Sequence, residues 1–241
     1  MGPPWTADEI ARYRRDGYLM RADLFTARET ERWTVECDRL WEAVSGRLDD
    51  PRVQWRGRVG GGRIADRLDP VLDISPEYTR LAADPRVFTA AASLLDGTAT
   101  VFKAKLITKR PGTEGYGLHQ DFPYWEMLGL PADDYVNVLV AFDRFDTESG
   151  ATEVFPGLHR EKAPAPAGAP LDVDDSWIAD RRGVRFDLEP GGVVFFHSLL
   201  PHRSAPNRGE HPRRGLFLTY VPARHAGLDE RYERVRLDKK R

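Results

Sequence analysis

The chain has 241 residues, 36 of them basic and 38 acidic, for a formal net charge of −2 at pH 7. So balanced a composition supplies no global field to steer the protein to nucleic acid or an anionic membrane, and the length suits one sizeable core. The single cysteine, Cys37, excludes an internal disulfide, and there is neither a basic leader with an apolar run nor a stretch of ~18 apolar residues, so a cytoplasmic protein without a membrane span is expected.

In chain order, Thr6 with Glu9 three residues on predicts a capping box, followed by a helix with Ile10 and Tyr13 on its apolar side and Gly17 at its end. Thr26 or Thr30 opens a second helix, along which Trp33, Cys37, Leu40, Trp41 and Val44 recur at helical spacing, a pattern of core packing. Residues 46–76 have poor periodicity. Within them Gly60-Gly61-Gly62, flanked by Arg56, Arg58 and Arg63, lacks the strand-to-helix context of a phosphate-binding loop and is expected as a mobile loop near the mouth of a site. A short helix about Pro85–Leu95 completes a helical N-terminal part, residues 1–96.

From Thr98 to Lys109 the pattern turns to period two, with Val101, Lys103, Lys105 and Ile107 on one face. Two lysines there suit either solvent or a barrel interior in which lysine meets an anion. Further strands are expected at Tyr135–Phe142, Thr152–Phe155, Val184–Leu188, Val193–His197 and Gly215–Val221. Helices followed by many short strands indicate an α+β protein, a double-stranded β-helix or jelly roll with the N-terminal helices packed on one sheet. One domain over 1–241 is expected, with its barrel core at 97–222 and a basic tail at 223–241 that ends as a solvated helix or frayed end.

In Gly117-Leu118-His119-Gln120-Asp121 an extended backbone would turn His119 and Asp121 to the same side. An imidazole and a carboxylate are two of the three ligands in the facial triad that holds non-haem Fe(II) and leaves positions open. A distant second histidine is required, and the segment from Gly192 to Asn207, which reads as strand, turn and short strand, holds His197 and His202. With His202 as third ligand, Fe(II) keeps a net positive charge that suits chelation by a 2-oxo acid. The far carboxylate of such an acid needs a fixed cation. Arg213 offers a planar fork that stays ionised, Ser204 adds a hydroxyl, and Arg214 would face the other side of its strand.

These residues, with Asp16-Gly17-Tyr18-Leu19, the strand from Lys105 to Gly112, Glu148 to His159 and Pro190 to His197, are where the chain resembles the phytanoyl-CoA dioxygenase family of Fe(II)/2-oxoglutarate oxygenases. The resemblance runs over essentially the whole length. It implies His119, Asp121 and His202 as iron ligands, Arg213 and Ser204 at the 5-carboxylate of 2-oxoglutarate, Lys105 beside that cosubstrate, and structural roles for His159 and His197. It also implies O₂-dependent oxidation with release of succinate and CO₂, the protein's part being orientation and exclusion of water. In related halogenases a small residue replaces the carboxylate ligand, so Asp121 favours hydroxylation of an unactivated C–H over halogenation. Desaturation, epoxidation and epimerisation stay open at the same centre. A cupin-like binding module without oxygen chemistry is the alternative from another class.

The expected substrate is a small metabolite, acidic by preference, and the expected state a monomer or weak homodimer without nucleic-acid or membrane partners. Gln120, Phe122, Tyr124, Trp125 and Met127 follow the metal motif and are expected at the rim of the pocket, a satellite core cluster being the competing reading for the aromatics. Lys103, with Arg56 and Arg63 from the glycine-rich segment, is expected to meet a carboxylate, phosphate or carrier-linked group.

Overall fold

The first two helices begin where threonine and glutamate stand three residues apart. In α1 (Ala7–Asp16) the Thr6 hydroxyl accepts from the Glu9 amide while the Glu9 carboxylate accepts from the Thr6 amide, and Thr26 and Glu29 repeat this at α2 (Ala27–Val44). Thr26, not Thr30, is therefore the cap. The computed structural model describes residues 4–47, 49–95, 97–169 and 171–238. Among them, no helix is long and apolar enough to cross a membrane.

The N-terminal part is less helical than its sequence suggests. A short strand β1 (Tyr18–Arg21) follows α1, and the expected loop is instead a hairpin of β2 (Val53–Gly57) and β3 (Arg63–Leu68). Hydrophobic periodicity is poor there because Gln54, Arg56 and Arg67 turn toward a pocket rather than a core. Gly60, Gly61 and Gly62 lie at the hairpin tip with φ of 88°, 108° and 86°, and a Cβ on any of them would meet nothing within 4 Å. Backbone handedness, not crowding, requires glycine. Helices α3 (Pro76–Ala82) and α4 (Pro85–Leu94) follow.

The remaining strands are β4 (Ala99–Lys109), β5 (Tyr116–His119), β6 (Val136–Ala141), β7 (Thr152–Val154), β8 (Val184–Arg185), β9 (Val193–His197), β10 (His202–Ser204) and β11 (Arg213–Pro222). They build an antiparallel seven-stranded sheet, β1-β9-β6-β11-β4-β3-β2, and a four-stranded sheet, β5-β10-β7-β8. Leu139, Val194 and Phe196 of the larger sheet meet Val154 and Val184 of the smaller, and the whole is an α+β double-stranded β-helix.

Alternation along the strands decides which residues reach the space between the sheets. Ala104, Leu106, Val138, Val140, Leu216 and Leu218 point outward under the helices, against Trp33, Cys37, Leu40, Tyr78 and Val87. Each large aliphatic buried there contributes about 1.5–3 kcal/mol relative to exposure. The opposite parity turns Lys105, Ile107, Arg213 and Phe217 inward. Val101 departs from the expected face: Thr219 pairs with Lys103 and Tyr220 with Val101, so Phe102 is an extra residue, and this bulge swings Val101 into the core under the helices.

The basic tail is not simply solvated. It forms α5 (Leu228–Asp238), whose Leu228 is buried and whose Tyr232 packs edge-on against Phe102, ring centroids 5.4 Å apart. Residues 239–241 of the expected tail lie outside the described residues.

Candidate active site

His202 stands directly opposite His119 in the β10–β5 pairing, and the two rings lie 4.1 Å apart by centroid. Each Nδ1 faces the carbonyl two residues earlier, Gly117 O at 2.7 Å for His119 and Leu200 O at 2.9 Å for His202. A carbonyl only accepts, so each Nδ1 carries the proton and each Nε2 presents its lone pair. Asp121 arrives differently from the expectation. Its backbone is helical (φ −76°, ψ −35°) at the start of a 3₁₀ turn, and its amide donates to Ser198 O at 3.0 Å, so the extended alternation ends at His119. The carboxylate still converges: one ligand atom from each of His119, Asp121 and His202 lies within 4.8 Å of the others.

The three groups hold the charge states a metal needs. Burial, and then the neighbouring His202 ring, push His119 down to about 3, and burial lowers His202 as well, so both imidazoles are neutral at neutral pH. Burial pushes Asp121 up, but the Lys105 ammonium, 4.0 Å from Oδ1, and the two imidazoles outweigh it and hold the carboxyl below its usual range. Two neutral nitrogen donors and one anionic oxygen fit Fe(II). Asn137, hydrogen-bonded to Asp121, went unnoticed in the sequence, although a lone amide in Val-Asn-Val-Leu-Val-Ala was a visible signal. His197, bonded to Asp133 and to the Leu199 amide, lies with His159 outside this triad.

Behind the triad a narrow cavity of about 40 Å³ runs between the sheets to Ile107, Thr152, Ser204 and Arg213. Arg213 is 1% exposed; its Nη1 donates to Gly150 O at 2.7 Å, its guanidinium lies 4.5 Å from the Phe145 ring, and its Nε has no partner among the described residues. Burial lowers it to about 10, which leaves it charged at neutral pH. Ser204 Oγ accepts from Lys109 Nζ at 2.9 Å and from the Tyr116 amide at 3.3 Å. Lys109, opposite Arg213 across β4 and β11, is a residue sequence reasoning missed, although it continues the parity of Lys103 and Lys105. Burial, then the Arg213 charge, push it down to about 6, so Arg213 is the standing cation of the pair. Arg214 faces the other way, as expected, with Nε and Nη2 donating to Asp143 at 2.8 and 2.9 Å.

On the other side of the triad a pocket of about 310 Å³ opens to solvent. Lys105 borders both this pocket and the inner cavity; burial lowers its ammonium, an effect Asp121 partly offsets. Of the other residues expected here, Arg56, Lys103, Tyr124 and Trp125 line the pocket, and Arg67 and Tyr116 join them. Lys103 Nζ sits 3.0 and 2.9 Å from the two carboxylate oxygens of Asp69. Tyr124 stands edge-on to His119 at 6.4 Å.

Four expected pocket residues are elsewhere. Gln120 is 1% exposed and braces a loop: Nε2 donates to Leu199 O at 2.7 Å and Glu161 O at 3.0 Å, while Oε1 accepts from the Ala163 amide at 2.9 Å. Phe122 packs in the satellite cluster of Phe102, Trp125, Leu128 and Tyr135. Arg63 is exposed, 5.9 Å from the Trp55 ring. It lies roughly 13 Å farther along β3 than Arg67, at about 3.3 Å per residue, beyond the pocket. Met127 is 44% exposed and outside the lining.

The sequence pattern of the phytanoyl-CoA dioxygenase (PhyH) family matches residues 13–215. The methylphosphonate hydroxylase of Gimesia maris is 26% identical over 241 residues, covering 96% of this chain and 86% of that protein. An ectoine dioxygenase of Sphingopyxis alaskensis is 28% identical over 90% of this chain and 76% of that protein. A crystal structure of EctD from S. alaskensis with bound Fe matches with a TM-score of 0.78 and 25% identity, over 92% of this chain and 78% of that one. The epimerase SnoN, at a TM-score of 0.75 and 23% identity over 90% of this chain and 83% of that one, shares the fold. With the matched segment spanning both sheets and the triad, the chain belongs to the phytanoyl-CoA dioxygenase family of Fe(II)- and 2-oxoglutarate-dependent oxygenases.

Proposed function

We propose that this enzyme hydroxylates an aliphatic C–H of a small anionic metabolite, with Fe(II) held by His119, Asp121 and His202 and the 5-carboxylate of 2-oxoglutarate anchored by Arg213 and Ser204. One observation carries the reading: two neutral imidazoles and an ionised carboxylate converge at the junction of two cavities, one ending on a buried arginine and one open to solvent. When bound, Fe(II) and 2-oxoglutarate supply activation of O₂ and oxidative decarboxylation to succinate and CO₂.

The chain's own residues do the rest. The Arg213 fork, charged and unpartnered at Nε, matches a carboxylate bidentately, and the Ser204 hydroxyl adds a donor. Lys105 stands between the cavities beside Asp121 and adds positive field where the cosubstrate would lie. Tyr124 and Trp125 wall the outer pocket and limit water at the reacting carbon. The intact carboxylate ligand supports oxygen transfer over halide transfer. Desaturation, epoxidation and epimerisation use the same centre, and the position of the substrate C–H in the outer pocket selects among them. Family membership sets aside a non-catalytic binding module. The buried unpaired Cys37 supports a reducing, cytoplasmic setting.

Anaerobic addition of Fe(II) and 2-oxoglutarate should raise the weak visible charge-transfer band of a metal-chelated 2-oxo acid. His119→Ala, Asp121→Ala and His202→Ala should each abolish it. A flat spectrum from the wild-type protein sinks the reading.

A further inference from the structure

The outer pocket holds two arginines whose hydrogen-bonding capacity the described residues leave unused. Its lining holds Arg56, Arg67, Lys103 and Lys105 against Asp69, Asp121 and Asp172. Asp69 is taken by Lys103, at 2.9 Å, and Asp121 belongs to the triad, which leaves Asp172 as the remaining carboxylate in the lining. Asp66, beside Arg67 in the chain, accepts from the Tyr116 hydroxyl through Oδ2; its charge acts on Arg67 and Arg56, but it makes no hydrogen bond to either.

The two arginines are built in rather than trailing in solvent. The Arg56 guanidinium carbon lies over the Tyr116 ring, 3.7 Å from the centroid, and the Tyr116 hydroxyl donates in turn to Asp66. Arg67 projects from the neighbouring strand of the same hairpin. The Nε of each is buried without a hydrogen-bond partner among the described residues. Neither guanidinium donates a side-chain hydrogen bond among the described residues, and both line one pocket, so the terminal N–H groups are available to an acceptor that the protein does not supply.

We infer that Arg56 and Arg67 form the subsite for a tetrahedral oxyanion, a phosphate or phosphonate group, on the substrate of the proposed hydroxylase. A carboxylate has two oxygens, which one arginine fork already fills; two forks call for a group with three acceptor oxygens and a charge near −2. The subsite opens off the same pocket as His119 and Asp121, so the group held there would present the adjoining carbon to the metal side. Specificity for the headgroup then resides in the β2–β3 hairpin, while the chemistry resides between the sheets.

This subsite rests on the hydroxylase reading, and the test separates the two. Methylphosphonate and acetate serve as probes, titrated calorimetrically under argon into the enzyme loaded with Fe(II) and 2-oxoglutarate, the visible band being read in each sample. Methylphosphonate should bind about tenfold or more tighter than acetate, and Arg56→Gln and Arg67→Gln should each weaken it by about tenfold, the loss expected for one charge-assisted contact. Arg56→Lys, which keeps charge but not the fork, should also weaken it, whereas Arg63→Gln at the hairpin tip should not. Thermal melts identify any variant that fails to fold, in which case the other arginine variant decides. Band present with no methylphosphonate binding, with equal binding of acetate, or with folded arginine variants that bind as the wild type does, overturns the subsite alone. No band in the wild type overturns the hydroxylase reading beneath it.

Discussion

Asn137 Nδ2 donates a 2.9 Å hydrogen bond to Asp121 Oδ2, and Asn137 Oδ1 in turn accepts from Thr219 Oγ1 at 2.8 Å. Because an ionised carboxylate can only accept, the amide must turn its N–H to Asp121, which leaves Oδ1 to accept from the Thr219 hydroxyl. Such outer partners of a metal ligand are worth ten- to a hundredfold in metal affinity. Asn137→Leu should therefore weaken Fe(II) or Co(II) binding by roughly that factor, and Thr219→Val should act in the same direction but less. Metal titration followed by competition with a chelator measures both; wild-type affinity in Asn137→Leu contradicts the positioning role.

Arg213 and Arg214 are adjacent in sequence and should behave oppositely. Arg213 ends the inner cavity, so Arg213→Ala should weaken 2-oxoglutarate binding about tenfold to a hundredfold, the worth of a charged hydrogen-bonded contact. Arg214 is held by Asp143 and Asp38 on the far face. Arg214→Ala should lower thermal stability while leaving the 2-oxoglutarate dissociation constant within about threefold, a difference under 1 kcal/mol. Titration of the visible band against 2-oxoglutarate compares the pair.

Lys109 gives the fold a slope in pH. Its folded-state pKa, depressed to about 6 by burial and by Arg213, lies below the ordinary lysine value of 10.5, so the unfolded chain binds the extra proton between these values. Stability should consequently rise as pH climbs from about 6 toward 10, and the penalty should be complete below about 6. Lys109→Met should flatten that slope. Urea unfolding at stepped pH measures it, and an unchanged slope in the variant contradicts the assignment.

The α2 cap adds a slope of the same sign in a separate, acid window. Hydrogen bonds from Arg86, and then from the Thr26 amide, hold Glu29 down to about 2 from 4.5, so its contribution is fully present above 4.5 and is lost as pH falls toward 2. Thr26→Ala should cost about 1 kcal/mol at neutral pH. Glu29→Gln should remove part of the acid sensitivity between about pH 4.5 and 2, which melts across that range would show.

The convergence of His119, Asp121 and His202 was legible because His-x-Asp and a distant histidine before an arginine are residue types with one obvious joint use. The geometric reason was only half right: β5 ends at His119, and a 3₁₀ turn, invisible to a period-two argument, delivers Asp121. The parity of β4 put Lys105 and Ile107 on one face without deciding between solvent and barrel interior; that face turns inward, yet the bulge at Phe102 reversed Val101, since a bulge leaves no mark in hydrophobicity alone. Periodicity detects residues facing a core, so the β2–β3 hairpin, whose polar side chains face a polar pocket, read as a loop and concealed Arg67. Gln120 looked like a rim residue by position, and only the loop that folds back at Ala163 makes it a brace.

The opposition of His119 and His202 across β5 and β10 also bears on how the molecule holds together. β5 is four residues long, forms the edge of the smaller sheet, and meets β10 in an irregular register. An ion shared by these two imidazoles would rivet that edge strand to its neighbour, so that part of the metal's binding energy becomes folding energy. Iron starvation would then loosen the lip of the active site first, and the empty enzyme would be the one most exposed to proteolysis at the strand that carries its own ligand.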